Sequence, residues 1–321
     1  MSLSIEVAIC TYNNAQLLDR ALATITEQRV DLSIRWSVLV VDNNSTDETA
    51  AIAQNYLNTG KIPQLRLIHE PQQGLSYARI CAVRSTNCEL IAFVDDDCLL
   101  SPNWVQQAVT FFQEHPQAGA VGSRVKLLWE VPPPEEVLPF QGYLSAYDRG
   151  DLPLQMPSEG NTYLVGAGLV VRRSALLASG WLEKTAMVGR NGKKLTAGDD
   201  SEIVLRIRNA GYELWYNSAM QLQHYIPKRR ISPQYLQKLV RGIGQSQPFL
   251  YLLGNRLQPN LAVRLSTCGN SIHYFSKVLA TIVYRYFFQP RSLTTERLIY
   301  LNHSLGKLEG AIQLLLKGNQ A

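Results

Sequence analysis

The sequence predicts an α/β protein built on a parallel, doubly wound β-sheet. Short β-branched apolar runs alternate four times with amphipathic stretches between Ser4 and His115. The apolar runs are continuous, as expected of strands that helices cover on both faces. A content of 46% hydrophobic and 18% charged residues is typical of a folded chain.

The elements of this first part follow the order that right-handed crossovers require. The predicted strands are Ser4–Cys10, Arg35–Asp42, Leu65–Glu70 and Glu89–Val94, and the helices between and after them start near Ala15, Asn43, Gly74 and Ser101. Ligands of such sheets bind at the carboxyl ends of the strands. The acidic residues Asp42 and Asp95–Asp97, which follow two of these strands, are therefore expected at the functional edge.

The alternation weakens after Gly122. The proline-rich stretch Val131–Gly142 predicts an exposed loop, Asp199–Gly211 predicts a helix, and Glu213–Tyr225 predicts a pair of strands. Beyond Pro227 the sequence is helical, basic and rich in tyrosine. We therefore expect an α/β unit over residues 1–226 and a helical C-terminal extension over residues 227–321.

Composition excludes several classes of protein. The net charge of +5 suits an anionic substrate or surface, but it is too diffuse to indicate nucleic-acid binding. The cysteine count of five is odd and no C-x-x-C occurs, which argues against a disulfide framework and a zinc site and favours the cytoplasm. The N-terminus lacks signal-peptide features. The apolar stretch "VLATIVYRYFF" is too short to span a bilayer and contains Arg285.

Two acidic clusters suggest chemistry. The adjacent carboxylates of Asp95–Asp97 would repel one another without a cation, and Mg²⁺ or Mn²⁺ binds such oxygens while leaving positions for phosphate. A solvated acidic turn is the alternative. The pair Asp199–Asp200 opens a helix, which the helix dipole alone would explain, but close to the first cluster it would supply a general base. No glycine-rich phosphate loop follows the first strand, so basic side chains such as Arg79 must help to hold phosphates.

Seven motifs then occur in one order between Ile5 and Tyr225. They are "VAICTYNN", "VLVVDNNSTDET", "GLSYARICAV", "LIAFVDDDCLLSPNW", "GAGLVVRRSAL", "AGDDSEIVLRIRNAGYELWYN" and "LQHY". With them the chain resembles an inverting family 2 glycosyltransferase of the bacterial polysaccharide type. The resemblance implies a GT-A fold, a Rossmann-like and mostly parallel sheet, with a nucleotide-binding half to about residue 122 and an acceptor half over about 123–226.

The same resemblance implies a donor site. Its nucleotide-binding residues would be Thr11, Tyr12, Asn13, Asp42, Arg79, Asp95 and Asp96. A divalent metal, Mn²⁺ or Mg²⁺, would be bound by Asp97, Asp95 and His224, with Asp97 as the direct ligand. A purely structural role is an equal alternative for His224.

The catalytic and acceptor residues are also inferred from the resemblance and from the residue types. Asp200 would be the catalytic base, and Asp199 takes the place of the glutamate more usual in the family. Contacts to the acceptor or the sugar are expected from Gly166, Gly168, Trp181, Arg190 and Lys194. The alternatives are tight packing for the two glycines, a core role for Trp181 and a solvated loop for Arg190 and Lys194.

The predicted activity is metal-dependent, inverting transfer of a sugar from a nucleotide-diphosphate sugar to a hydroxyl of a saccharide or lipid-linked acceptor, in surface polysaccharide or glycolipid synthesis. A silent nucleotide-sugar-binding protein and a sugar nucleotidyltransferase are the alternatives. The basic, aromatic extension suits peripheral contact with the inner face of an anionic membrane. A helical cap on the catalytic unit and self-association are alternatives for that segment.

Overall fold

The computed structural model describes residues 3–62, 64–160, 162–187, 189, 195, 197–288 and 294–316. Within these ranges the strands are β1 Ile5–Thr11, β2 Trp36–Asp42, β3 Leu65–His69, β4 Leu90–Asp95, β5 Cys98–Leu100, β6 Ala118–Trp129, β7 Leu154–Gln155, β8 Leu169–Arg172 and β9 Glu213–Ile226. The α-helices are α1 Ala15–Thr26, α2 Thr49–Thr59, α3 Leu75–Arg84, α4 Trp104–Glu114, α5 Arg173–Ala178, α6 Trp181–Lys184, α7 Asp199–Asn209, α8 Pro233–Gly254, α9 Leu261–Phe288 and α10 Thr295–Leu316.

These strands form one mixed sheet in the order β3-β2-β1-β4-β8-β6-β9-β5, with β7 on β9. Strands β3, β2, β1 and β4 are parallel, and β8 runs antiparallel between β4 and β6. Because helices cover both faces, the centres of β1, β2 and β4 are buried without alternation, as in Val38–Val41. The predicted α/β fold with a mostly parallel sheet is confirmed.

Two local predictions were wrong. Residues Glu135–Leu144 form a 3₁₀ helix instead of an exposed loop, and its apolar residues Val137, Phe140 and Leu144 are buried against the C-terminal helices. The stretch predicted as two strands is the single strand β9, which pairs with β6 along its length. A register shift between Asn217 and Gln221 leaves Ser218, Ala219 and Met220 out of register with β6, which forms a bulge instead of a turn.

The C-terminal segment is helical, as predicted, and packs on the α/β unit. A second apolar cluster joins the two parts through Ile226, Leu236, Leu239, Val240 and Ile299. Helices α8 and α10 meet at glycines: a Cβ on Gly306 would overlap the carbonyl oxygen of Arg241, and one on Gly310 that of Gln245. Among the described helices, none has the length and apolar content needed to cross a bilayer.

Candidate active site

The carboxyl ends of the parallel strands β1, β2 and β4 bring together three of the residues predicted to bind the nucleotide. In the sheet register Thr11 at the end of β1 lies opposite Asp42 of β2. On the other side of β1, Cys10 lies opposite Asp95 of β4. The edge expected from the sequence therefore exists, and the two acidic strand ends flank β1 on it.

A cavity of about 1020 Å³ opens at this edge. Its walls include both acidic clusters, which are about a hundred residues apart in the chain, and parts of α8, α9 and α10. The sequence-predicted residues on these walls are Thr11, Tyr12, Asn13, Arg79, Asp95, Asp96, Asp97, Gly166, Asp199 and Asp200. The fold thus places the carboxylates from β4 and from the start of α7 around one space.

Arg79 of α3 links the two acidic clusters. Its Nη1 lies 2.5 Å from Oδ2 of Asp199, and its Nη2 lies 3.7 Å from Oδ1 of Asp95. The guanidinium is buried and lies over the ring of Phe93. Burial lowers the pKa of Arg79, but the nearby carboxylates outweigh burial and raise it. A permanent positive charge therefore lies between the two clusters.

Asp200 is held by backbone donors. Its Oδ2 accepts a hydrogen bond from the Gly166 amide at 2.9 Å, and its Oδ1 accepts one from the Ser201 amide at 2.7 Å. Burial and the charge of Asp199 raise its pKa against the opposing effects of Arg79 and these two amides. A Cβ on Gly166 would lie 2.9 Å from Oδ2 of Asp200, so only glycine lets this backbone approach the carboxylate. Asp200 is thus oriented, and its affinity for a proton is increased.

Asp96 lies on the cavity wall, but both of its oxygens have protein partners. Thr11 Oγ1 donates to Oδ2 at 2.6 Å, and Asn14 Nδ2 donates to Oδ1 at 2.7 Å. Burial, reinforced by Asp97, raises the pKa of Asp96 to about 7. In this arrangement Asp96 fixes the end of β1. The sequence analysis did not predict a role for Asn14. Its position next to Asn13 in the motif "TYNN" was the only sequence feature that pointed to the site.

Asp97 has only a 4% exposed side chain and faces two cationic or polar groups. Arg230 Nη1 lies 2.8 Å from its Oδ2, and His224 Nε2 lies 3.2 Å from its Oδ1. The other nitrogen of His224, Nδ1, donates to the carbonyl oxygen of Leu144 at 2.9 Å. Sequence reasoning missed Arg230, which belongs to a short 3₁₀ helix, Lys228–Arg230, directly after β9.

The first cluster fits a hard divalent cation. Donor atoms of Asp95, Asp97 and Cys98 lie within 4.8 Å of one another. Burial, with the charge of Asp97, raises the pKa of the Cys98 thiol well above its usual range, so the thiol stays protonated and is a poor ligand. Two carboxylates remain, and Asp95 exposes 37% of its side chain towards the cavity. Carboxylate oxygens with open positions beside them suit Mn²⁺ or Mg²⁺.

The remaining residues that were predicted to bind the nucleotide lie around the ends of β1 and β2. The backbone amide of Asn13 donates to Ser45 Oγ, and the Asn13 side chain accepts from the Thr46 amide at 2.7 Å. Asp42 accepts from the Ser45 amide at 3.1 Å, but it does not belong to the described cavity wall. Asn13 is therefore fixed against the loop after β2, and Asp42 holds the same loop through Ser45.

For four of the five predicted acceptor residues, the structure favours the alternative or the residue lies outside the described ranges. Trp181 is fully buried in the main core and exposes no face to a sugar, so its core alternative fits and stacking does not. Gly168 has a φ of +70°, and a Cβ there would overlap Leu222. Tight packing therefore accounts for the glycine at this position. Arg190 and Lys194 lie outside the described residues.

Comparisons with known proteins agree with this geometry. Residues 6–178, more than half of the chain, match the family described as glycosyl transferase family 2. The glucosyl-dolichyl phosphate glucuronosyltransferase of Haloferax volcanii is 25% identical over 243 residues, which cover 73% of each chain. The succinoglycan biosynthesis protein ExoM of Rhizobium meliloti is 22% identical over 239 residues, 74% of this chain and 72% of the relative.

A solved structure extends the likeness to the fold. The mannosyltransferase PcManGT from Pyrobaculum calidifontis, in complex with GDP-Man and Mn²⁺, superposes with a TM-score of 0.58 at 17% identity. The alignment covers 98% of this chain and 87% of that one. These findings support the transferase prediction over the nucleotidyltransferase and silent-binding alternatives. The chain belongs to glycosyl transferase family 2, has the GT-A fold and is a glycosyltransferase.

Proposed function

We propose that the protein transfers a sugar, with inversion and with a divalent metal, from a nucleotide-diphosphate sugar to a hydroxyl of a lipid-linked or free saccharide. The product would belong to a surface polysaccharide or a glycolipid. One observation supports this proposal above the others: Asp95 and Asp97 share a cavity with Asp200, and Arg79 lies between the clusters.

The donor would bind on the β1–β4 side of the cavity. Thr11, Tyr12 and Asn13 would line the nucleotide site. Asp95 and Asp97 would hold the metal, which when bound offsets negative charge on the departing diphosphate. Arg79, buried and within reach of both clusters, would stabilise the same charge as it develops.

The acceptor hydroxyl would bind on the α7 side. The Gly166 and Ser201 amides orient the Asp200 carboxylate, which would take the hydroxyl proton as the oxygen attacks the anomeric carbon. Because the proposed base comes from α7 and the proposed metal ligands come from the end of β4 and the residues after it, a single displacement with inversion fits the arrangement. No enzyme nucleophile is required for this step.

A lipid-linked acceptor is favoured by the wall opposite the sheet. The C-terminal helices line that wall with apolar residues, among them Ile243, Leu250 and Tyr251, and with the cation Lys307 of α10. Such a surface suits a molecule with an apolar chain and a phosphate. The H. volcanii relative, whose name includes a dolichyl phosphate, is consistent with this acceptor class.

Helix α9 would bring the enzyme to the membrane that carries such an acceptor. Six exposed apolar residues, spaced four or seven positions apart, fall on one of its faces: Leu261, Leu265, Ile272, Leu279, Val283 and Phe287. We call this face the α9 stripe. Residues 227–321 contain thirteen Lys and Arg residues but only two Glu and no Asp. An apolar stripe on a basic segment suits peripheral contact with an anionic, cytoplasmic membrane face.

The substitution Asp200→Asn tests the proposed function. It keeps the size of the side chain but removes the base, so the transfer rate should fall about a hundredfold or more while the donor dissociation constant stays nearly unchanged. A thermal-shift screen of UDP and GDP with Mn²⁺ would first choose the donor series, and single-turnover assays would then measure transfer. Asp151→Asn, at an exposed aspartate outside the cavity walls described here, is the matched control. Parallel loss of donor binding and transfer would reject the role of Asp200.

A further inference from the structure

Arg230 occupies a place in the donor site that family membership does not assign. It follows β9, more than fifty residues beyond the end of the matched family region, residues 6–178. Even so, it lies on the cavity wall with Arg79, Asp95 and Asp200. The C-terminal extension therefore contributes a cation to the acidic cluster of the α/β unit.

The contact is direct and largely shielded from water. Arg230 Nη1 lies 2.8 Å from Oδ2 of Asp97, and the two side chains are 11% and 4% exposed. The same nitrogen lies 3.4 Å from His224 Nε2. In this state the guanidinium neutralises a carboxylate that also fits a metal ion.

The pairing uses only part of the guanidinium. Its Nε is buried and donates no hydrogen bond to any described residue. Buried donors are nearly always satisfied in stable arrangements. A planar guanidinium with a spare donor, beside the cavity that we propose binds a diphosphate, indicates a second arrangement in which the guanidinium has another acceptor.

A metal ion and Arg230 cannot both neutralise Asp97 at low cost. A divalent ion bound between Asp95 and Asp97 would add two positive charges beside a guanidinium in a site of low polarity. The guanidinium would then gain from turning to the nearest new anion. When a nucleotide-sugar is bound, that anion is its diphosphate.

We propose that Arg230 pairs with Asp97 in the free enzyme and transfers its contact to the donor diphosphate when metal and nucleotide bind together. Arg230 would thus disfavour the binding of metal alone and stabilise the leaving diphosphate. This inference rests on the proposed donor and metal site, but it concerns a residue that the site does not require in order to exist.

The test is Mn²⁺ binding by wild-type protein and by Arg230→Gln, followed through the electron paramagnetic resonance signal of free Mn²⁺, with and without UDP or GDP. Without nucleotide, R230Q should bind Mn²⁺ about fivefold more tightly or better, because Asp97 has lost its competing cation. With saturating Mn²⁺, R230Q should bind the nucleoside diphosphate about tenfold more weakly or worse. The two effects have opposite signs, which loss of structure cannot produce.

Two further variants complete the experiment. Lys228→Gln removes one positive charge from the same 3₁₀ helix, at an exposed residue that is not among the described residues of the cavity wall. Its affinities for Mn²⁺ and for the nucleoside diphosphate should stay within about twofold of the wild type. Arg230→Lys keeps a positive charge on a shorter side chain but removes the planar guanidinium. Its affinities for Mn²⁺ and for the nucleoside diphosphate should lie between those of the wild type and of R230Q. If R230Q does not fold, the Arg230→Lys variant alone tests the role of Arg230.

Each outcome separates this proposal from the function it rests on. If wild-type protein binds Mn²⁺ with nucleotide and the Arg230 variants behave like it, Arg230 is a fixed structural ion pair and the proposal is wrong. If no form of the protein binds Mn²⁺ with either nucleotide, the metal-dependent function is wrong as well.

Discussion

At the scale of single residues, the described cavity walls carry five aspartates in different surroundings. Asp95 is partly exposed, Asp96 is held by Thr11 and Asn14, and Asp97 faces Arg230. Asp199 and Asp200 lie at the start of α7, where Arg79 contacts the first and two backbone amides hold the second. The same chemical group can therefore bind metal, fix a strand end or accept a proton.

The pH dependence of transfer should reflect Asp200. Protonation of Asp200, the proposed base, would stop it from accepting the hydroxyl proton, so kcat should fall as the pH is lowered through the raised pKa of Asp200. Because the charge of Asp199 raises that pKa, Asp199→Asn should move this acid limb to lower pH. The measurement is a pH–rate profile of each enzyme under donor saturation. A limb that stays in place or moves to higher pH would contradict the assignment of Asp200.

The sequence predicted these aspartates because each cluster lies at one end of a recognisable element. Asp95–Asp97 end an apolar strand, and Asp199–Asp200 begin a helix. The partners of Asp96 and Asp97 were not predictable in the same way. Arg230 meets Asp97 across 133 positions of the chain, and nothing in the local pattern of "PKRR" distinguishes Arg230 from its basic neighbours.

At the scale of elements, long-range packing explains where the sequence pattern failed. The apolar residues of Glu135–Leu144 are buried because α8 and α10 cover them, and a proline-rich stretch contains no sign of that cover. Strand β9 continues past its polar centre because β6 pairs with it on both sides of the bulge. Local propensity predicted the parallel strands β1, β2 and β4 well, since each is a short apolar run buried on both faces.

Helices α8 and α10 should depend on glycine at their contact. In Gly306→Ala the new methyl group would overlap the carbonyl oxygen of Arg241, and backbone cannot rotate away as a side chain can. We expect a loss of about 1–3 kcal/mol in the free energy of unfolding, measured by denaturant titration. Gly269→Ala on α9 is the control, because a Cβ there meets nothing within 4 Å. It should be neutral or stabilising by up to about 1 kcal/mol. Equal effects of the two substitutions would disprove the close contact.

At the scale of the whole molecule, charge and apolar surface are distributed unevenly. The helical extension is strongly basic, while the remaining residues contain 18 Lys and Arg against 24 Asp and Glu. The same extension covers the cavity on one side and presents the α9 stripe to solvent. The candidate active-site cavity and a basic, apolar surface thus share three helices, which suits the proposed meeting of the enzyme with its acceptor at a membrane.

Vesicle binding tests this distribution. The protein should sediment with vesicles that contain anionic lipid and should be released as salt is increased. The double variant Ile272→Glu/Leu279→Glu places two acids on the α9 stripe and should weaken binding about tenfold or more. Leu32→Glu/Leu152→Glu, at exposed leucines of the α/β unit, is the matched control. If both double variants bind equally well, the α9 stripe does not contact the membrane.

We propose that Asp95 and Asp97 on one side of the cavity and Asp200 on another act on a single donor sugar. The most direct measurement is a crystal structure of the protein with Mn²⁺ and the nucleoside diphosphate that stabilises it. We expect Mn²⁺ directly coordinated by oxygens of Asp95 or Asp97 and of the diphosphate, with the space for the sugar between the diphosphate and Asp200. A nucleotide bound away from these aspartates, or one that leaves Asp200 with no open path to the sugar position, would contradict it.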